Sequence, residues 1–283
     1  MGRFDIRTRN GQISGIIQSV KTVDADAQAF YDRVTAAGGS LSQTEKDAVN
    51  TLTLTLKNNG TWTLMQVIYP MVGASAAACS QNLKSSSFTG TFTSGWTFAS
   101  TGVTPNGTSA YMDTGFNPFV NTNGYSQHGS MYSRTQNSSV NGSQFGCQDN
   151  SGSEMTMYQY FSAVSQKGGS IYIYPTTAVL SNNSSTQGLQ IINRSTQTNA
   201  KLYFNGSILN TNTTSESYAR PNRIIYLGAS NWTTMVTQYS PHENSFTSFG
   251  DSLTDAQASD FYTAVQAFQI AKARRAAGTP TTK

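Results

Sequence analysis

Charged side chains are scarce in this chain of 283 residues, since Asp, Glu, Lys and Arg together make up 11% of it. Disordered proteins combine low hydrophobicity with high net charge. This chain has a net charge of only +4 and contains 14 Tyr and 14 Phe. The composition therefore excludes a disordered protein and favours a β-rich domain with a polar, largely uncharged surface.

Histidine and cysteine are also rare, which limits the available chemistry. His128 and His242 stand among polar turn residues, so we expect both to be exposed in loops. The sequence contains no His-x-x-x-His, Cys-x-x-Cys or Gly-x-Ser-x-Gly motif. Cys79 and Cys147 are too few for a disulfide framework. Because the N-terminus lacks the apolar segment of a signal peptide, we expect free thiols made in a reducing cytoplasm.

Isolated carboxylates and missing motifs argue against an enzyme. A glycosidase needs two carboxylates about 5–10 Å apart, whereas Asp113, Asp149 and Glu154 do not share a strand at alternating positions. No glycine-rich phosphate-binding motif follows a strand. Calcium needs clustered oxygen ligands, and Asp113 is only a weak candidate because Asx-rich turns usually bind their own backbone. We expect no enzyme activity, no cofactor and no metal site, and no apolar run of about 18 residues predicts a membrane span.

The basic surplus lies at the two ends of the chain. One explanation is a pair of solubilising tails, and the other is a pair of arms that dock on an acidic protein lattice or on nucleic acid. Aromatic residues do not interleave with the C-terminal basic cluster, so a nucleic-acid partner is not indicated. The candidate attachment residues are Arg3, Arg7, Arg9, Lys272, Arg274 and Arg275.

Helices are predicted near both ends. Residues 1–23 lack periodicity and are interpreted as an extended basic arm. Residues 24–73 are predicted to form a helical hairpin and a lead-in strand, because apolar residues recur at helical spacing and Ser42-Gln43-Thr44-Glu45 is a capping box. A second capping box begins a C-terminal helix over 252–275, expected to pack on the central domain and to be followed by a flexible tail over 276–283.

Between the helices, residues 74–251 have the two-residue period of strands, separated by Gly, Asn, Ser and Pro. Many short strands with frequent turn residues favour an antiparallel sandwich over a parallel sheet. In "KLYFNGSIL" (201–209), Asn205-Gly206 predicts a type I′ hairpin turn. The strand candidates are 96–99, 109–113, 129–134, 155–161, 171–174, 188–193, 201–204, 207–210, 223–228 and 245–249.

Aromatic and amide side chains are the remaining candidates for a binding site. Sugars bind to an aromatic face surrounded by amide and hydroxyl groups. Trp232 and Asn231 lie in one predicted loop and Tyr125 in another, so these three are the candidate carbohydrate-binding residues. The alternative for Trp232 is a structural role at the rim of the sandwich. Trp62 and Trp96 are expected in the core.

Four segments occur in an order that resembles the laminin-G/concanavalin-A-like jelly-roll domain. They are "GTSAYMDTG" (107–115), "KLYFNGSIL" (201–209), "RIIYLGASN" (223–231) and "FGDSLTDAQASDFYTAVQAFQ" (249–269). The closing helix has Gln257 where the family pattern has Glu, and of the family's calcium-binding acids only Asp113 has a counterpart. The resemblance implies a mainly β, antiparallel jelly-roll sandwich with an N-terminal arm, a helical hairpin and a C-terminal helix.

Residues 29–73, ending in "LKNNGTWTLMQVIYPMVG", resemble the helical lead-in that precedes such sandwiches in many bacteriophage virion proteins. This resemblance implies a structural virion protein, made in the bacterial cytoplasm and attached to the capsid as an accessory or decoration component. The alternative is a carbohydrate-binding module of a tail fibre that adheres to a host-surface glycan. Other virion proteins are the expected partners, and a homo-oligomer is left open because no coiled-coil heptads occur.

Overall fold

The computed structural model describes most of the chain between the two basic ends. The described residues are 22–134, 136, 141–161, 166–172, 178–181, 185, 187–215 and 220–273. Residues 1–21 of the predicted arm and the predicted tail, and with them Arg3, Arg7, Arg9, Arg274 and Arg275, lie outside these residues. None of the helices in the described ranges is long and apolar enough to cross a membrane.

The N-terminal helical hairpin forms because local capping signals fix both of its helices. Helix α1 (Ala25–Ala36) begins where the Asp24 carboxylate accepts a hydrogen bond from the Asp26 amide at 2.9 Å. Helix α2 (Gln43–Asn58) begins at the predicted capping box, in which Ser42 and Glu45 bond each other's backbone amides.

Three further helices follow, and the last of them is the predicted C-terminal helix. They are α3 (Ala76–Cys79), α4 (Pro118–Asn121) and α5 (Asp255–Ala273). At the start of α5, Thr254 and Gln257 form the second predicted capping box, with hydrogen bonds of 2.9 and 3.2 Å.

One antiparallel sheet, sheet A, contains six strands in the order β1-β17-β6-β11-β12-β13. Its strands are β1 (Met65–Tyr69), β6 (Gln127–Ser133), β11 (Gly188–Thr196), β12 (Asn199–Phe204), β13 (Ser207–Asn212) and β17 (Phe246–Gly250). The lead-in strand β1 is therefore an edge strand of the same sheet that contains the closing strand β17.

The second sheet, sheet B, lies against sheet A and has the strand order β10-β9-β8-β7-β14-β5-β2, with β15 and β16 beside β7. Its strands are β2 (Thr91–Phe92), β5 (Met112–Asp113), β7 (Gly142–Gln148), β8 (Glu154–Phe161), β9 (Gln166–Tyr172), β10 (Ala178–Ser181), β14 (Tyr226–Leu227), β15 (Ser230–Asn231) and β16 (Val236–Thr237). A separate hairpin joins β3 (Trp96–Ala99) to β4 (Gly102–Pro105). The prediction of a mainly β antiparallel sandwich with helices near both ends is confirmed, although β15 pairs with β7 in parallel.

Two hydrophobic cores divide the molecule into three layers. Because side chains alternate along a strand, Phe246 of β17 faces the helices and packs near Phe261 of α5, while Phe249 faces sheet B and packs near Phe145. The helix-facing core contains the apolar faces of α1, α2 and α5, and the inter-sheet core fills the space between the sheets. The helices are thus a layer of the domain itself.

The hairpin at "KLYFNGSIL" has the predicted turn. Asn205 and Gly206 both have positive φ, 49° and 79°, as a type I′ turn requires. Strands β12 and β13 pair on either side of it, with Phe204 opposite Ser207.

The prediction that both histidines are exposed is wrong. His128 and His242 are 0% and 5% exposed. His128 lies on β6 and faces the helix layer, where its Nδ1 is 2.5 Å from the Asp251 carbonyl oxygen and its Nε2 is 3.1 Å from Ser248 Oγ. The carbonyl requires a donor, so Nδ1 carries the proton and Nε2 accepts from the serine.

Candidate functional site

The outward face of sheet B is the face that the long helices leave open. Helices α1, α2 and α5 contribute to the core on the far side of sheet A. On sheet B, Met112 and Leu227 point into the inter-sheet core. Their strand neighbours Tyr111, Asp113 and Tyr226 therefore point outward.

A pair of stacked tyrosines forms the centre of this face. The rings of Tyr111 and Tyr226 lie 4.4 Å apart with an interplanar angle of 9°. The ladder places Tyr226 opposite Asp113. Burial, together with the nearby charge of Asp113, raises the pKa of Tyr226, so the phenol stays neutral and donates a hydrogen bond to the Asp113 carboxylate.

Arg223 lies beside this pair and is held by Asn231. The Arg223 Nε donates to Asn231 Oδ1 at 2.9 Å, and Asn231 Nδ2 donates to the Ile224 carbonyl at 2.8 Å. The amide of Asn231 is 5% exposed and has both ends occupied. Asn231 is therefore a positioning residue for Arg223, and the prediction that its amide contacts a sugar does not agree with this geometry.

Trp232 begins the tight connection between β15 and β16. Its backbone amide donates to the Met235 carbonyl at 3.0 Å, and its ring is partly exposed. Among the described residues its indole Nε1 has no hydrogen-bond partner although the atom is buried. A buried donor without a partner is uncommon in folded proteins and marks a place where an acceptor could bind. We call Tyr111, Asp113, Arg223, Tyr226 and Trp232 the sheet B site.

Tyr125 does not belong to the sheet B site. Its ring packs against the inter-sheet core, close to the start of β6 in sheet A. Tyr125 and Trp232 are both half-buried and both lie in polar loops, but only the ring of Tyr125 packs against the inter-sheet core, which its loop context does not indicate.

The carboxylates near this face accept hydrogen bonds from backbone amides in turns. Asp113 Oδ1 accepts from the Gly115 amide at 2.9 Å. Asp149 accepts from the amides of Ser151 and Ser153 and, through Oδ2, from the Asn222 amide at 2.8 Å. In the described ranges, no three His, Cys, Asp or Glu side chains are grouped so that they could hold a metal ion. The weak metal candidate Asp113 thus has the turn-forming role that Asx residues usually have.

Lys272 is not a surface attachment group. It is 7% exposed, and its Nζ donates to the carbonyl oxygens of Met71 at 2.8 Å and Pro70 at 3.4 Å. Burial lowers the pKa of Lys272 to about 8. The prediction that this residue helps to dock the chain on a partner is wrong, because helix α5 turns the side chain towards the loop after β1.

Both cysteines are also buried. Cys79 and Cys147 are free thiols, and burial raises the pKa of both, to about 11 for Cys79. A thiol with a raised pKa is a poor nucleophile at neutral pH.

No family model and no curated protein matches this chain. Among solved structures, it is similar to domain 4 of AbnA, a GH43 extracellular arabinanase from Geobacillus stearothermophilus in complex with arabinotriose, with 13% identity, a TM-score of 0.48 and coverage of 70% of this chain and 98% of that one. A Trypanosoma rangeli sialidase mutant has 10% identity and a TM-score of 0.47, over 77% of this chain and 39% of the sialidase. The CBM40 module of a Ruminococcus gnavus sialidase has 11% identity and a TM-score of 0.37, over 49% of this chain and 84% of the module. Similarities at these values say nothing about a ligand of this chain.

Proposed function

We propose that this chain is a carbohydrate-binding β-sandwich module that holds a glycan on the sheet B site. The observation that carries the proposal is a pair of stacked, partly exposed tyrosine rings beside one guanidinium on the sheet face that the long helices leave open. Trp232, with its unpartnered indole N–H, directly follows the asparagine that holds this guanidinium. Sugars present an apolar C–H face and many hydroxyl groups, which fit flat rings bordered by donors and acceptors.

The carboxylates of this region are suited to a module that binds a glycan without cleaving it. Glycoside hydrolysis requires an acid and a second carboxylate that can reach the scissile bond. Asp149 is held by three backbone amides, and Asp113 by one. Carboxylates fixed in turns in this way support a binding role over a catalytic one.

A glycan array with the full chain and the variant Trp232→Ala tests this proposal. We expect the variant to lose at least about fivefold in affinity for the glycans that the parent chain binds, since stacking on one aromatic ring contributes about 1 kcal/mol or more. Trp232→Phe separates two effects, because it keeps an aromatic ring and removes only the indole N–H.

Phe119→Ala is the matched control, since Phe119 is an aromatic residue that is 43% exposed and lies in α4. It should leave glycan binding unchanged. Equal binding by the parent chain, Trp232→Ala and Tyr111→Ala, or the absence of any bound glycan, would refute the sheet B site.

A second proposed role is display of this module on a bacteriophage particle, as an accessory capsid component or tail appendage. It is supported by the way the segment that resembles a virion lead-in is built into the sandwich. Strand β1 pairs with β17, and Glu45 Oε1 of α2 accepts from the amide of Gly73 at 2.8 Å, which joins the end of the lead-in to the hairpin. The lead-in and the sandwich would thus attach to the particle as one folded unit.

Quantitative mass spectrometry of purified phage particles tests this role. We expect the chain at a copy number that matches a symmetry class of the capsid or tail, and reduced incorporation when Arg3, Arg7 and Arg9 are replaced by glutamine. Absence of the chain from particles purified at high salt and at low salt would exclude a virion role without affecting the glycan proposal.

A further inference from the structure

A cavity lies on the other side of the molecule, between α5 and the ends of the neighbouring strands β6 and β11 of sheet A. Its volume is about 370 Å³, within the range of small-molecule sites. We call it the α5 cavity. It is lined by Tyr132, Ser133, Arg134, Gln187, Gly188, Asn205, Tyr262, Gln266, Gln269 and Ile270.

Gln269 supplies a buried acceptor to the α5 cavity. The residue is 2% exposed, and its Nε2 donates to the Ser245 carbonyl oxygen at 3.1 Å. Among the described residues its Oε1 has no hydrogen-bond partner. The amide cannot be reversed, because the Ser245 carbonyl accepts and does not donate. An unsatisfied buried acceptor is unfavourable, and a donor from a ligand in the cavity would satisfy it.

Arg134 supplies a positive charge to the same cavity. None of the ion pairs within the described ranges includes its guanidinium. Its backbone carbonyl accepts from Gln187 Nε2 at 2.7 Å, which ties the residue to the opposite wall. A planar guanidinium matches a carboxylate through two parallel hydrogen bonds.

Two tyrosines complete the wall, and the Asn205-Gly206 turn positions one of them. A Cβ at Gly206 would lie 2.9 Å from Tyr262 Cδ1, so the ring rests directly on the turn glycine. Tyr132 donates to Gln266 Oε1 at 2.8 Å. This bond orients the Gln266 amide nitrogen away from Tyr132, and the Tyr262 ring offers a flat apolar surface.

We infer that the α5 cavity binds a sugar unit that carries a carboxylate. Arg134 pairs with the carboxylate, Gln269 Oε1 accepts from a ring hydroxyl, and the Tyr262 ring packs against the C–H face of the sugar. The site faces the helix layer, whereas the sheet B site lies on the outward face of the other sheet, and its residues are different. The inference therefore stands whether or not the sheet B site binds a glycan.

The test compares methyl glucuronide with methyl glucoside, titrated into the full chain and followed by protein-observed NMR. The two probes differ only at the carboxylate. We expect the glucuronide to shift the side-chain amide signals of Gln266 and Gln269, and to bind at least about tenfold more tightly than the glucoside because of the charge-assisted pair with Arg134. Arg134→Gln should remove that preference, while Gln269→Met should weaken the binding of both sugars.

Thr263→Ala, on the exposed side of the same helix, is the matched control and should leave binding unchanged. Trp232→Ala should also leave it unchanged, which separates this site from the sheet B site. If Gln269→Met does not fold, Arg134→Gln decides the question alone, because its partly exposed side chain has no ion pair to lose. Equal affinity for the two sugars, or a preference that survives Arg134→Gln, would overturn the inference.

Discussion

Replacing Phe249 with alanine is expected to lower the free energy of unfolding by about 3–5 kcal/mol. The side chain is fully buried in β17, near the middle of the inter-sheet core. Its ring stacks on Phe116 at 5.5 Å and meets Phe145 edge-on at 5.0 Å. Phe145 is held by β7 of the opposite sheet, and Phe116 by the hydrogen bond of its carbonyl to the Ile225 amide at 2.9 Å, so the core cannot collapse fully into the space that the substitution leaves.

Urea denaturation followed by tryptophan fluorescence measures this loss. Phe119→Ala is the control, because Phe119 is 43% exposed and mainly contacts Arg220, so its removal should cost less than about 1 kcal/mol. A loss for Phe249→Ala as small as that of the control would contradict the two-sheet core described above.

The variant Phe246→Ala tests whether the helices unfold in the same cooperative unit as the sandwich. Phe246 is fully buried on the other face of β17, where it contacts Phe261 and Phe268 of α5. If the helix layer and the sandwich unfold together, this variant should show one transition and a loss similar to that of Phe249→Ala. Two separated transitions would indicate that the helices detach first.

The parts of the fold that could be predicted from the sequence depend on local signals. Each capping box needs only residues three positions apart, and the hairpin needs only Asn205-Gly206, so both were accessible without any knowledge of tertiary contacts. Strand β7 was missed because its residues lack the alternation of a half-buried strand. Gly142 and Gly146 have no side chain that could mark an apolar or a polar position of an alternating pattern. Gln144 is polar but buried, because it forms hydrogen bonds to Gln159 and Ser240.

Glycine is required at position 146 by a tertiary contact, which no local sequence pattern shows. A Cβ at this position would collide with Ser230 Oγ, which lies against the strand. The chain therefore uses glycine in the middle of a strand, where propensity alone predicts a break.

The candidate sites were only partly predictable because they join distant parts of the chain. Trp232 could be named from its loop, but Tyr111 and Tyr226 meet only because the ladder places Asp113 opposite Tyr226. The same limit explains Lys272, whose helical pattern gives no sign that the loop at Pro70 and Met71 accepts its ammonium. Arg134 and Gln269 likewise share a cavity only after α5 docks on sheet A.

Acidification from pH 6.5 to pH 4 is expected to lower the free energy of unfolding by about 3 kcal/mol through His128 alone. Burial lowers the pKa of His128 to about 4, whereas an unfolded histidine has its ordinary value of 6.5. Between these two values the unfolded chain binds a proton that the folded chain does not. The stability contributed by neutral His128 is therefore complete above pH 6.5 and is lost as the pH falls towards 4.

Urea denaturation of the parent chain and of His128→Gln across this pH range measures the effect. The variant should be less stable at pH 7.5, because glutamine cannot reproduce both contacts to Asp251 and Ser248, but its stability should depend less on pH. Burial raises the pKa of Asp251, which acts in the opposite direction, and this contribution is present in both proteins. The difference in stability between parent and variant should consequently narrow as the pH falls. A constant difference from pH 7.5 to pH 4 would mean that the pKa of His128 in the folded protein is close to that of an ordinary histidine. The neutral hydrogen-bonded chain from Ser248 through His128 to the Asp251 carbonyl would then not be formed.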